Sequence, residues 1–276
     1  MHYKKKFHKD NSGKADRNKK SADVRGQWVL GRIPVLEALR AGKRKPIRLF
    51  YQDSAVGLED IMAAAGNTPK QACTRDMLDQ RTAKQQHQGV LLEAAPLPLH
   101  NLENTLDLIQ EANPVLMLLD GVENPRNFGG IVRSAAAMGA AAVIFGRDRS
   151  APLSPAALKS AAGAMEYVPL IQVTNLARSM ALLKERGYWI VGLDADAPQT
   201  IWEANLDGPV TLVVGNEGKG MRRLVADNCD FQANIPISGP ISSLNASVSA
   251  ALVLAECKRR RVTAAAAAPE HTKGPE

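Results

Sequence analysis

The stretch Val115-Leu116-Met117-Leu118-Leu119-Asp120-Gly121-Val122-Glu123-Asn124-Pro125-Arg126-Asn127-Phe128-Gly129-Gly130-Ile131-Val132-Arg133 decides the fold class. Its first five residues are all apolar and do not alternate with polar ones, which predicts a strand buried on both faces. A polar turn follows, and then a helix that starts near Asn127 and continues through Ile131, Val132, Ala135, Ala136 and Met138. Outward from there the same unit repeats. Further strands are expected at 142–145, 168–173, 189–193 and 210–214, and a short one at 231–235. Helices are expected at about 129–138, 155–163, 175–187 and 219–226, with a long last helix over 244–261. Apolar strands alternating with helices predict an α/β domain, a parallel sheet covered on both faces, over residues 114–262.

The preceding region reads as a smaller α/β unit over residues 26–95, followed by a linker and helix at 96–113. Pro34 suits a first helical turn, with Ile33, Leu36 and Leu39 on one face and Gly42 as the stop. Ile47-Arg48-Leu49-Phe50-Tyr51 and Val90-Leu91-Leu92-Glu93 read as strands, while 58–65 and 76–84 read as helices. Ala95-Pro96-Leu97-Pro98 interrupts regular structure.

The formal net charge is +7 over 276 residues, and it is uneven. Residues 1–25 hold nine Lys/Arg against three Asp, whereas the remaining chain is close to neutral. So basic a segment with few apolar residues is expected to be a disordered arm that neutralises nucleic-acid phosphates, or else a solubilising tail. Residues 263–276 read as a flexible tail. No apolar run is long enough to span a bilayer, and no apolar core follows the basic start, so neither a membrane protein nor a secretory signal is expected. Cys73, Cys229 and Cys257 are few and far apart, which disfavours a zinc site or a disulfide framework and fits a reducing cytoplasm.

Ligands in a parallel α/β sheet bind beyond the carboxyl ends of strands. Three such junctions are polar and glycine-rich. The first carries Asn127, itself a plausible helix N-cap, and Arg133, which suits a planar anion or, more plainly, a surface ion pair. The second, Gly215-Asn216-Glu217-Gly218-Lys219-Gly220-Met221, is neither a P-loop nor the dinucleotide fingerprint. The third runs from Ile235-Pro236-Ile237 to Ser243-Leu244-Asn245-Ala246-Ser247, with Ser243 able to cap the last helix. No Ser-His-Asp, Cys-His or HExxH arrangement is readable, and His87 before Gly89 reads as a turn residue.

In order and spacing these junctions resemble the three motifs of the SpoU (TrmH) family, S-adenosylmethionine-dependent RNA ribose 2′-O-methyltransferases of the SPOUT superfamily. Gly31-x-x-x-Val35-x-Glu37-Ala38-Leu39 and His87-Gln88-Gly89 resemble that family's N-terminal substrate-binding domain. The whole arrangement is most similar to the enzymes of the RlmB type, which act on a guanosine of 23S rRNA.

The resemblance implies a trefoil-knotted methyltransferase domain and a homodimer; no metal is expected, because no metal-ligand cluster is readable in the sequence. It implies cofactor contacts at Gly215, Gly220, Ile235, Ile237 and Leu244, and a catalytic set of Asn127, Arg133, Glu217, Ser243 and Asn245. RNA contacts are expected from residues 26–95, through Lys43, Arg44, Lys45 and Arg48, and a second basic cluster lies at Lys258-Arg259-Arg260-Arg261. The rival readings are a tRNA 2′-O-methyltransferase, a non-catalytic RNA-binding assembly factor and, more weakly, a nucleotide enzyme on a Rossmann sheet.

Overall fold

The computed structural model describes residues 26–151, 153–240 and 243–267. The basic arm and the end of the tail lie outside the described residues. The first unit contains β1 (Gln27–Leu30), α1 (Arg32–Ala41), β2 (Pro46–Tyr51), α2 (Leu58–Ala65), β3 (Lys70–Ala72), α3 (Arg75–Arg81) and β4 (Val90–Ala94). Its sheet has the order β1-β4-β2-β3. Val29, Leu49, Val90 and Leu92 face Val35 and Ala38 of α1 and Ile61 of α2.

Gly42 ends α1 in the left-handed conformation, φ 60°. The expected face of α1 needs correction: Pro34, Val35 and Ala38 are buried, whereas Ile33 is 59% exposed. Leu36 and Leu39 of the expected stripe are half-buried against the same core, and only Ile33 turns away from it. β3 has no counterpart in the sequence reading, because Lys-Gln-Ala carries no hydrophobic period.

The second unit begins with α4 (Leu102–Leu108) and continues through β5 (Val115–Leu119), α5 (Pro125–Met138), β6 (Ala142–Gly146), α6 (Pro155–Ala161) and a 3-10 turn at Ala164–Glu166. It then runs through β7 (Leu170–Val173), α7 (Leu176–Glu185), β8 (Trp189–Leu193), β9 (Val210–Val214), α8 (Arg223–Ala226), β10 (Phe231–Ala233) and α9 (Ala246–Ala267). The sheet order is β10-β8-β9-β5-β6-β7, with every neighbouring pair parallel.

β5 is buried along its whole length. Val115, Met117 and Leu119 pack with Phe128, Ile131 and Val132 of α5 and Val253 of α9. Leu116 and Leu118 pack on the opposite side with Leu106 of α4 and Met180 and Leu183 of α7. Helices therefore cover both faces, as unalternating strands require.

Two helix starts differ from expectation. Asn124, not Asn127, caps α5: its side chain accepts from the Arg126 amide, and Pro125 occupies the first turn. The helix expected from 219 begins only at Arg223, because Gly220 stands at φ +65° and interrupts it.

Candidate active site

The strand order reverses at β5: β6 and β7 are added on one side and β8, β9 and β10 lie on the other, so the parallel neighbours β9 and β5 flank a crevice at their carboxyl ends. Register places Leu119 beside Val214, so that Asp120 and Gly215 leave the sheet together. Asp120 is fully buried, and its carboxylate accepts from the Arg222 backbone amide at 2.7 Å and its Nε at 2.6 Å. Asn216 donates to the Gly121 carbonyl at 2.6 Å. The loop between these anchors closes on itself through two 2.9 Å backbone bonds joining Asn216 and Gly220. Gly215 is required there, since a Cβ would lie 2.3 Å from the Gly220 carbonyl carbon. At Gly220 the requirement is instead the left-handed backbone.

The three polar junctions converge. Asn127 Nδ2 donates to Glu217 Oε2 at 2.5 Å, and Asn245 Nδ2 donates to Asn127 Oδ1 at 3.0 Å and Glu217 Oε1 at 3.2 Å. Asn245 also organises the start of α9: its Oδ1 accepts from the Ser247 amide at 2.9 Å and hydroxyl at 2.6 Å. Asn245 thus takes the capping role expected of Ser243, which is exposed on the cavity wall. A carboxylate that accepts two amide bonds in this way holds both amides in one orientation.

Beside this ring opens a cavity of about 600 Å³, the size of an ordinary small-molecule site. It brings together Gly215, Glu217, Gly220, Ile235, Ile237, Ser243, Leu244 and Asn245, with Asn127 joined through its hydrogen bonds. Leu193, the last residue of β8, and Asp194 and Asp196 just after it also line the wall. The sequence reading passed over them, although the end of a parallel strand was the available signal. Apolar walls, open glycine backbone and carboxylates fit S-adenosylmethionine, which carries an adenine ring, a ribose diol and a sulfonium cation.

Arg133 is exposed on α5 and does not line the cavity. At 100° per residue it stands about 120° round the helix from Asn127, and it shares its face with exposed Arg126. Gly130 on that face meets α9, for a Cβ there would lie 3.1 Å from Ser247 Cβ.

The expected RNA-binding cluster divides. Lys43, Lys45 and Arg48 are exposed, but Arg44 is 5% exposed and paired with Glu166, so it presents no charge to RNA. The second basic cluster also turns inward in part. Arg260 donates to the carbonyls of Ile201, Trp202 and Ala204, and Arg261 to those of Asn113, Leu206 and Gly208. His87 is buried, contacting Asp79 through Nε2 and accepting the Gly89 amide at Nδ1. Among the described residues, no cluster of His, Cys, Asp and Glu is arranged to hold a metal, and no helix is long and apolar enough to cross a membrane.

Residues 114–255 match the family model described as the SpoU rRNA Methylase family. The chain belongs to the SpoU rRNA methylase family. Residues 28–99 of this SpoU chain match a second model, described as RNA 2′-O ribose methyltransferase substrate binding. It is 45% identical over 194 residues to the 23S rRNA (guanosine-2′-O-)-methyltransferase RlmB of Vibrio vulnificus, covering 70% of this chain and 78% of that one. It is 43% identical to the RlmB of Pseudomonas aeruginosa, covering 85% and 98%. In fold the SpoU chain is similar to the SpoU methyltransferase AviRb of Streptomyces viridochromogenes, solved in complex with AdoMet. The TM-score is 0.75 at 24% identity, covering 90% of this chain and 95% of AviRb.

Proposed function

We propose that this protein transfers a methyl group from S-adenosylmethionine to a ribose 2′-hydroxyl of RNA, at a guanosine of 23S rRNA. The observation that carries this reading is the Asn127–Glu217–Asn245 ring on the rim of the cavity, built from three separate strand ends. S-adenosylmethionine supplies a methyl group activated on a sulfonium. Gly215, Gly220, Ile235, Ile237 and Leu244 would hold it, with Asp194 and Asp196 close to its polar groups.

The 2′-hydroxyl is a poor nucleophile and loses its proton as the carbon–oxygen bond forms. A guanidinium is too weak an acid to act readily as a base, so Arg133 serves best as a cation that binds the adjacent phosphate or the developing alkoxide. Positioning and electrostatic stabilisation then supply much of the rate. Asn127 and Glu217 set the rim of the site, and Ser243 and Asn245 shape the loop beside it.

The reading includes a homodimer, supported by an exposed apolar stripe. Val248 and Leu252 of α9 are 45% and 42% exposed and one helical turn apart, and the neighbouring Ser247 lies against Gly130 of α5, the helix that carries Arg133. A second copy seated there would bury that stripe and bring Arg133 towards a facing cavity. Exposed Lys43, Lys45 and Arg48 supply phosphate contacts, and the cytoplasm is the place of action.

Arg133→Ala is expected to lower turnover on the order of 10²–10³-fold, while calorimetry shows S-adenosylmethionine binding nearly unchanged. Full activity in that variant removes Arg133 from the mechanism. Mapping 2′-O-methyl marks with and without the gene tests the substrate. Loss of a 23S guanosine mark supports the reading, and loss of a tRNA mark alone replaces it with the tRNA alternative.

A further inference from the structure

The two units meet through a buried polar contact that the proposed reaction does not use. Arg44, between α1 and β2, reaches Glu166 of the 3-10 turn at 2.5 Å, with the two side chains 1% and 2% exposed. Gln27 of β1 stands beside the pair. Its Oε1 accepts from Arg44 Nη1 at 2.8 Å and the Leu97 amide at 3.2 Å, and its Nε2 donates to the Leu153 carbonyl at 2.7 Å. Around this centre the Tyr167 hydroxyl donates to Glu37 at 2.5 Å, and Lys159 of α6 donates to the Gln86 side chain at 2.8 Å. The approach is close: a Cβ on Gly163, which stands at φ +88°, would lie 2.3 Å from Glu37 Cβ.

Hydrophobic packing would hold two units together at lower electrostatic cost. Desolvation is the largest influence on both partners, pushing the Arg44 pKa down and the Glu166 pKa up against their mutual attraction. Arg44 Nε and Glu166 Oε2 are buried without a hydrogen-bond partner among the described residues. Replacing such a pair by apolar residues of similar size is commonly neutral or stabilising. What the ion pair adds is direction.

That direction is passed on towards the site. Glu166 closes the turn that follows α6, and α6 lies against the N-terminal part of α5, where a Cβ on Gly129 would sit 2.4 Å from the Ala157 carbonyl oxygen. Asn127 stands two residues earlier on the same helix.

We propose that Arg44 and Glu166 are substrate-positioning residues: their buried pair locks the substrate-binding unit in one orientation on α6, so that bound RNA is presented to the cavity at a fixed reach. The kinetic part rests on the methyltransferase reading, whereas the docking part does not.

The test uses the full chain and the variants Arg44→Met, Glu166→Gln and Arg44→Met/Glu166→Leu. Hydrogen exchange of β1 and α6 reports docking, calorimetry reports S-adenosylmethionine binding, and steady-state kinetics use a 23S rRNA fragment. Each single variant is expected to speed exchange at the β1–α6 seam. Each should also raise KM for RNA on the order of tenfold through misplacement, with cofactor affinity within about twofold because the cavity is untouched. The apolar double variant restores exchange protection and recovers part of the KM, and it remains informative if a single variant folds poorly.

An Arg44→Met defect that Glu166→Gln does not share overturns the proposal, since Arg44 would then be touching RNA itself. Faster exchange with an unchanged KM in both single variants also overturns it, leaving a merely structural contact. An unaltered chain that methylates no RNA overturns the methyltransferase reading, and the exchange data still judge the docking.

Discussion

Gly215 leaves no room for even one methyl group, because the backbone of Gly220 and Met221 lies across it. Forcing a Cβ into such a contact typically costs about 1–3 kcal/mol. Here that strain would fall on the loop that carries Glu217. Gly215→Ala is therefore expected to weaken S-adenosylmethionine binding by roughly tenfold or more, as read by titration calorimetry, with only a modest change in Tm. Wild-type affinity in that variant would show that the loop can shift without consequence. Residue identity was the most legible scale for the candidate site, since the expected residues of the polar junctions line the cavity or adjoin it, with Arg133 the exception. Their partners were not legible. Asn127 bonds to groups 90 and 118 positions along the chain, and no local pattern reports such pairings. The capping error had a readable correction, because a proline in the first turn points to the residue before it, Asn124, as the cap.

Among the elements, α9 shows what periodicity reveals and what it hides. A long closing helix was readable from the small and apolar residues of 244–261. The inward use of its arginines was not, because a basic helix end reads equally well as solvated. Glu256, only 7% exposed, accepts from both Arg259 and Arg260. Chiefly through the Arg259 bond, and with Arg260 adding to it against the opposing effect of burial, its pKa is held down to about 2. A carboxylate depressed in the folded state stabilises the fold above its unfolded pKa, and that contribution disappears as pH falls from about 4.5 towards 2. Glu256→Gln is expected to lower Tm at neutral pH by about 2–4 °C, corresponding to about 1 kcal/mol. Its loss of stability over that acid window should be shallower than wild type. Parallel acid melts of the two chains would rule against this if variant and wild type coincided at pH 7.

For the whole molecule, the class of the second sheet was legible because its strands are apolar without alternation. Strand order was not, since β9 lies between β8 and β5 only through long-range crossovers. The short edge strand β3 and the docking of the two units also left no periodic trace. Glu37 belongs to a motif read from the sequence, yet its partner Tyr167 lies in the other unit. Assembly is the prediction that belongs here. A charge at Leu252 would place an unpaired carboxylate in the proposed dimer contact. Leu252→Asp is expected to sediment as a monomer and to lose most RNA methylation. A dimer that persists in sedimentation velocity would move the interface elsewhere.

The reach of α9 also sets a timetable. Arg261 ties its helix to the carbonyls of Asn113, Leu206 and Gly208, and Asn245 closes the ring with Asn127 and Glu217. Synthesis runs from the N-terminus, so the first unit and the strands β5 to β9 emerge before any of these bonds can form. A nascent chain stopped before residue 245 would carry a nearly whole sheet and an open, incomplete site. Competence to bind and methylate is acquired only once α9 has been made, in one late step, rather than strand by strand.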